Sequence, residues 1–116
     1  MTIRRLQSEG RLSGAVIHGN TVYLAGQVAD DPSLDTEGQT ADVLRQIDAL
    51  LAEAGTDKAH LLSCQVFLAD IADIGAMNRA WDAWYDRANP PARATVEAKL
   101  VDPSWRVEIT AIAALA

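Results

Sequence analysis

The sequence has few of the residues that form disulfides or bind transition metals. It contains one cysteine, Cys64, and two histidines, His18 and His60, among 116 residues. A lone cysteine cannot form an internal disulfide, and two distant histidines without a cysteine pair do not resemble a zinc site. We therefore predict a reducing, cytoplasmic environment and no structural zinc.

Basic charge and long apolar runs are also scarce. The chain has 10 Lys and Arg against 16 Asp and Glu, a net charge of −6. Neutralising phosphates requires clustered cations, so the balance predicts no nucleic acid partner and no anionic membrane partner. No apolar run is long enough to span a bilayer, and the basic N-terminus lacks the apolar segment of a signal peptide. We expect a soluble, unexported protein.

The residues that are present predict one domain over 1–116. Hydrophobic side chains make up 49% of the chain, which is enough for one compact core at this length. Strands at 14–18 and 21–28 flank the dipeptide Gly19-Asn20, a two-residue hairpin signal.

Hydrophobic periodicity predicts the remaining elements and the order β-β-α-β-α-β-β. The first helix begins near Thr36, capped by Asp35 or Thr36, and ends at Gly55. A buried strand within 61–70 contains Cys64, and a second helix follows over about 71–86. The last two strands lie at 92–100 and 106–115. A further strand at 2–6 is an alternative. The order predicts a mixed sheet with both helices on one face. The uncovered second face predicts self-association.

Two charged residues on the last two strands are candidate site residues. Alternation places Arg93 and Thr95 on one side of their strand and Glu108 on the polar side of the next. If these strands are antiparallel neighbours, Arg93 and Glu108 share one sheet face. The pair is then either a surface ion pair or a ligand site, in which the arginine fork binds a carboxylate and the glutamate orients a water.

Asn78 and Gly26 are weaker candidates. Asn78 follows Met77 at the edge of the apolar stripe of the second helix, where a helix-surface hydrogen bond is the alternative. Gly26, in "AGQ", lacks a Cβ and lets the backbone approach a ligand, although a β-bulge explains a strand glycine equally well.

Several motifs together resemble the RidA/YjgF family. These are "PAR" at 91–93, the triplet Val107-Glu108-Ile109, the hairpin "GNTVYLAGQ" and the helix "MNRAWDAWYD". The segments "RLSGAVIHGN" and "FLAD" are closer to a YoaB-like branch. The resemblance extends from about Ser13 to the end of the chain.

The resemblance implies a chorismate-mutase-like α+β domain that assembles as a homotrimeric barrel with ligand clefts between subunits. It implies hydrolysis of reactive enamines and imines, such as 2-aminoacrylate, to 2-oxo acids and ammonia, without metal or organic cofactor. In that reaction Arg93 would hold the substrate carboxylate and Glu108 would orient or activate the water. Gly26 would offer backbone contact, Asn78 would line the cleft, and Thr95 stands where RidA proper commonly has a cysteine.

The same family resemblance leaves two other functions open. One is a trimeric module that binds a 2-oxo acid through Arg93 without turnover. Retention of both Arg93 and Glu108 favours the enzyme, since a binder needs only the cation. The other is the endoribonuclease label that family members have carried, which ranks third because of the negative net charge. A tyrosine that RidA proper carries before its first hairpin has no counterpart here, so Arg11, Trp105 or Arg106 are further candidates for the cleft.

Overall fold

The computed structural model describes residues 1–116 and has the predicted order of elements, with the alternative first strand present. The strands are β1 (Ile3–Glu9), β2 (Leu12–His18), β3 (Thr21–Gln27), β4 (Leu61–Leu68), β5 (Ala92–Glu97) and β6 (Val107–Ala114), and the helices are α1 (Thr36–Ala54) and α2 (Ile74–Trp84). Helix α2 is shorter than predicted, because Ile71–Asp73 forms a separate 3-10 turn. Strand β5 likewise ends at Glu97, before the predicted end.

Helix α1 begins and ends where its capping residues predict. The Asp35 carboxylate accepts a hydrogen bond of 2.8 Å from the Gly38 N–H, which satisfies one of the free donors of the first turn. Gly55 follows the helix with φ of 95°, a left-handed conformation that glycine adopts without steric cost.

The six strands form one mixed sheet in the order β1-β2-β3-β6-β4-β5. Every neighbouring pair is antiparallel except β4 and β5, which run parallel. Parallel strands require a crossover connection, and α2 provides it between β4 and β5. Strand β5 is therefore an edge strand, and β6 lies in the middle of the sheet.

Both helices pack on one face of the sheet, as predicted. Their buried stripes, with Leu44 and Ile47 of α1 and Met77 and Trp81 of α2, join the apolar sheet residues in one core. Cys64 lies in this core, as predicted. The other sheet face has no covering element, so Tyr23 is 46% exposed and Val96 is 44% exposed.

A buried glutamine connects two loops at the start of α1. Gln39 has no exposed surface. Its amide NH2 lies within hydrogen-bond distance of the carbonyl oxygens of Pro32, Leu34 and Ser104, so one of its two hydrogens is shared between two acceptors. Its amide oxygen accepts from the Arg106 N–H. The segment before α1 and the segment between β5 and β6 are thus held by one side chain.

The last two strands are not neighbours, so the condition under which Arg93 and Glu108 would share one sheet face is not met. Strand β4 lies between β5 and β6, with Cys64 opposite Arg93 on one side and Phe67 opposite Glu108 on the other. Since neighbouring positions along a strand face opposite ways, Arg93 lies on the helix face with Cys64 and Glu108 lies on the open face. The connection between 97 and 107 resembles a hairpin loop in sequence, but the α2 crossover fixes β5 on the far side of β4.

Candidate functional site

Arg93 lies on the edge strand β5 and contacts α2 rather than a carboxylate. Its guanidinium carbon lies 4.9 Å from the centroid of the Trp81 ring, and its Nη1 lies 3.8 Å from the Met77 sulfur. The four ion pairs of the structure do not include Arg93. A guanidinium has five N–H donors, so most of them remain free for a ligand.

A cleft of about 370 Å³ opens beside this guanidinium. Its walls come from the end of α2, the following turn and the start of β5, and its lining residues are Asn78, Trp81, Asp82, Tyr85, Pro90, Pro91 and Arg93. The structure therefore brings Arg93 and Asn78 to one cleft. The cation, the amide and the aromatic wall suit a small planar anion.

Thr95 lies on the same face as Arg93, opposite Val66 of β4. Its hydroxyl oxygen is buried and has no hydrogen-bond partner. An unsatisfied buried hydroxyl costs about 1–3 kcal/mol. Thr95 is thus a polar group near the cleft whose bonding capacity the chain does not use.

Glu108 and Gly26 form a second group, on the open face of the sheet. The register between β3 and β6 shifts between Leu24 and Gln27, which places Gly26 at an irregularity. A Cβ at position 26 would collide with the Glu108 carboxylate. The irregular register agrees with the β-bulge explanation for this glycine. The close approach of Glu108 gives a further reason why position 26 has no Cβ.

The candidate residues form two separate groups within one chain. Arg93, Asn78 and Thr95 belong to the edge and helix face, whereas Glu108 and Gly26 belong to the centre of the open face. A surface ion pair between Arg93 and Glu108 of the same chain, one of the two alternatives from sequence, is therefore wrong.

Cys64 is unsuited to nucleophilic chemistry although it neighbours Arg93. Burial raises the pKa of its thiol to about 11, and the nearby Arg93 charge offsets this only in part. The thiol is therefore neutral near pH 7, and a neutral thiol is a poor nucleophile. Cys64 acts as a core residue.

Trp81 and Met77 lie beside Arg93, although the sequence alone did not single them out. They are core residues, with Trp81 6% exposed and Met77 fully buried, and they also contact Arg93. A signal was available, because a β-α-β unit predicts that β5 lies parallel to β4 with α2 above both. That geometry places the apolar stripe of α2 against the Arg93 face.

Three further candidates lie outside the cleft. Trp105 lines a separate cavity of about 430 Å³ with Lys99, and Arg106 lines another near Asp73 and Arg79. Arg11 is exposed in the turn between β1 and β2.

No three His, Cys, Asp or Glu side chains lie close enough together to bind a metal ion. Neither helix has both the length and the apolar character needed to cross a membrane.

Known proteins match the chain over nearly its whole length. "RutC family protein" of Haemophilus influenzae is 51% identical, with 97% of this chain and 98% of that protein covered. "RutC family protein YoaB" of Escherichia coli K12 is 46% identical, with 99% and 100% covered. More distant is a rat protein named "2-iminobutanoate/2-iminopropanoate deaminase", which is 34% identical over 90% of this chain and 80% of its own.

Solved structures and a family profile agree with these relatives. The crystal structure of a YjgF family member from Neisseria meningitidis superposes with a TM-score of 0.97 at 45% identity, covering 100% of this chain and 97% of that one. A family profile described as "Endoribonuclease L-PSP" matches residues 2–115. The chain belongs to the RidA/YjgF family, and within it to the YoaB-like branch.

Proposed function

We propose that this protein hydrolyses reactive enamines and imines of 2-amino acids, such as 2-aminoacrylate, to 2-oxo acids and ammonia. One observation supports it above all. Arg93 lines a cleft beside Asn78 and has no ion-pair partner in the chain, so its guanidinium is available to a bound carboxylate. Glu108 also makes no ion pair, so its carboxylate is available to a water. The name of the rat relative supports the same chemistry.

Arg93 binds the carboxylate of the substrate. A 2-imino acid carries a carboxylate next to its reactive carbon, and a guanidinium binds a carboxylate through two parallel, charge-assisted hydrogen bonds. Asn78 lines the same cleft, and the Thr95 hydroxyl is free to bond. Binding in this way fixes the position of the imine carbon relative to the protein.

Glu108 supplies the proton transfers. A proton from solvent first adds to the enamine carbon and gives an iminium, and water then adds to the iminium carbon as one of its protons passes to the Glu108 carboxylate. The carbinolamine nitrogen takes this proton from Glu108, the C–N bond breaks as the hydroxyl group releases its proton to solvent, and ammonia leaves a 2-oxo acid. A positioned carboxylate of this kind typically contributes roughly 10²–10⁴-fold to the rate.

We propose that the complete site forms between copies of the chain in a homotrimer. Within one chain, the Arg93 group and the Glu108 group lie on opposite sheet faces. The Arg93 group of one copy can therefore meet a Glu108 group only if that group belongs to a second copy. The uncovered face, with Tyr23 and Val96 exposed, favours burial against other copies.

Light scattering coupled to size exclusion tests the assembly. We expect a mass of about three times the 12.5 kDa of one chain. A monomer at micromolar concentration would contradict both the trimer and the shared site.

A coupled assay tests the activity. A pyridoxal-phosphate enzyme generates 2-aminoacrylate from an amino acid, and its disappearance is followed with and without this protein. We expect faster loss and matching release of pyruvate and ammonia. Binding of a 2-oxo acid without faster loss would instead support the binding module.

Since Cys64 is a free buried thiol, we place the reaction in the reducing cytoplasm.

A further inference from the structure

The support beneath the Arg93 guanidinium is apolar and polarizable. Trp81 contributes a ring face, with 4.9 Å between its centroid and the guanidinium carbon, and Met77 contributes its sulfur at 3.8 Å from Nη1. Cation–π attraction of this kind holds a guanidinium by its flat face. Apart from the N–H directed at the Met77 sulfur, the N–H groups at its edge stay free for an acceptor.

The Trp81 ring is itself held in place. It stacks on Tyr85 with 6.2 Å between centroids and 18° between planes, and it contacts Trp84 at 5.6 Å. Trp81 is only 6% exposed, and Met77 is fully buried. A fixed ring restricts the guanidinium plane, which an exposed arginine on an edge strand would otherwise explore freely.

An acidic side chain would hold the same cation differently. Asp82 lines the cleft, yet it forms no ion pair with Arg93. An Asp82–Arg93 pair would consume the N–H groups that a ligand carboxylate needs, and it would lower the local positive charge. Support from Trp81 avoids both effects.

We propose that Trp81, assisted by Met77, is a positioning residue that orients the Arg93 guanidinium for in-plane binding of the carboxylate of a 2-oxo or 2-imino acid. The proposal rests on the proposed function, because it deepens the role of Arg93 there. Trp81, in the segment "MNRAWDAWYD", then contributes to ligand binding as well as to the core.

Binding of pyruvate, measured by titration calorimetry on the assembled protein, tests this role. Trp81→Leu removes the ring and should weaken binding roughly tenfold, and Trp81→Phe, whose ring attracts a cation less than indole does, should weaken it roughly threefold. The matched controls are Trp84→Leu and Trp84→Phe. Trp84 packs beside Trp81 but contacts Lys58 and Asp48 instead of Arg93, so its substitutions should weaken binding far less than the matched Trp81 substitutions do.

Kinetics and NMR separate positioning from stability. Losing the Trp81 ring should raise KM for the imine and leave kcat nearly unchanged, because Trp81 acts through Arg93 on the binding of the carboxylate. In the wild type, the Arg93 Nε–H proton should resonate upfield owing to the Trp81 ring, and pyruvate should shift it. If Trp81→Leu does not fold, the positioning role is tested by comparing Trp81→Phe with Trp84→Phe and by the Arg93 Nε–H resonance.

The outcomes distinguish the two proposals. Equal effects of matched Trp81 and Trp84 substitutions in a wild type that binds pyruvate would overturn the positioning role alone. A wild type that neither binds a 2-oxo acid nor hydrolyses an imine would overturn the proposed function and the positioning role with it. A graded loss of affinity that is clearly larger for the Trp81 substitutions than for the matched Trp84 substitutions supports both.

Discussion

Arg93 and Glu108 carry opposite charges and have opposite surroundings. Arg93 lies on the edge strand β5, is exposed, and contacts the ring of Trp81 and the sulfur of Met77. Glu108 lies on β6 between β3 and β4, is half-buried, and rests against the backbone of Gly26. The cation is thus supported by one helix, and the anion by the middle of the sheet.

This difference fits a division of labour in the proposed reaction. An edge strand tolerates small shifts, which suits a group that must adapt to a substrate. A strand with two hydrogen-bonded neighbours holds a side chain more rigidly, which suits a group that must present one water at a defined position. The substitutions below test whether the two residues fail in different ways.

The largest expected effect follows from Arg93→Lys. Lysine keeps the charge but cannot present a rigid fork, so imine hydrolysis should fall almost as far as in Arg93→Ala, by roughly a hundredfold or more. Steady-state kinetics and pyruvate binding measure this loss. Thermal melting of the lysine variant should change little, since Arg93 makes no ion pair and lysine keeps a cation beside the Trp81 ring. Wild-type turnover in the lysine variant would show that charge alone suffices.

Glu108→Gln should produce a different failure. The amide keeps the shape but cannot take a proton from water, so kcat should fall on the order of a hundredfold while pyruvate affinity changes little. The pair of variants separates the two roles: Arg93→Lys loses affinity and Glu108→Gln loses kcat. Loss of affinity in both would mean that Glu108 also holds the ligand.

Gly26→Ala should act through Glu108. The new methyl group would collide with the Glu108 carboxylate, so we expect lower kcat and a stability loss of about 1–3 kcal/mol in urea unfolding, typical of overpacking. Gly26 lacks a positive φ, so backbone strain does not contribute.

Two controls sharpen the Gly26 test. Adding Glu108→Ala removes the carboxylate, and the stability cost of Gly26→Ala should then largely disappear. Gly75→Ala, where a Cβ meets only the Arg79 guanidinium at 3.9 Å, should cost no stability. An equal Gly26→Ala cost with and without the carboxylate would place its origin elsewhere.

The smallest effect is expected at Thr95. Thr95→Val removes an unpaired buried hydroxyl, so thermal stability should stay equal or rise by about 1 kcal/mol. Turnover in Thr95→Val and Thr95→Ala should fall only a few-fold, because one neutral hydrogen bond is weaker than the charge-assisted bonds of Arg93. Losses equal to those of Arg93→Ala would reveal a chemical role for Thr95.

Local signals in the sequence predicted most of the fold. Gly55 and Asp35 mark the ends of α1, Gly19-Asn20 marks a hairpin, and alternation marks the last two strands, because these signals depend on neighbouring residues. The order of strands in the sheet depends on contacts between distant segments. Alternation placed Arg93 and Thr95 on one side of β5 but could not tell which face of the sheet that side joins. Pairing β5 with β6 followed sequence proximity and overlooked the crossover through α2.

Gln39 has a consequence for how the protein opens. Its amide joins the carbonyls of Pro32, Leu34 and Ser104 and the Arg106 N–H, so two surface segments that are distant in sequence share one set of hydrogen bonds. Opening of either segment breaks its bonds to this amide and leaves the amide less firmly held for the other segment, which couples the two openings. In hydrogen exchange, the Arg106 amide should therefore exchange far more slowly than its place beside an exposed loop suggests. Gln39→Leu should release this amide and loosen both segments together.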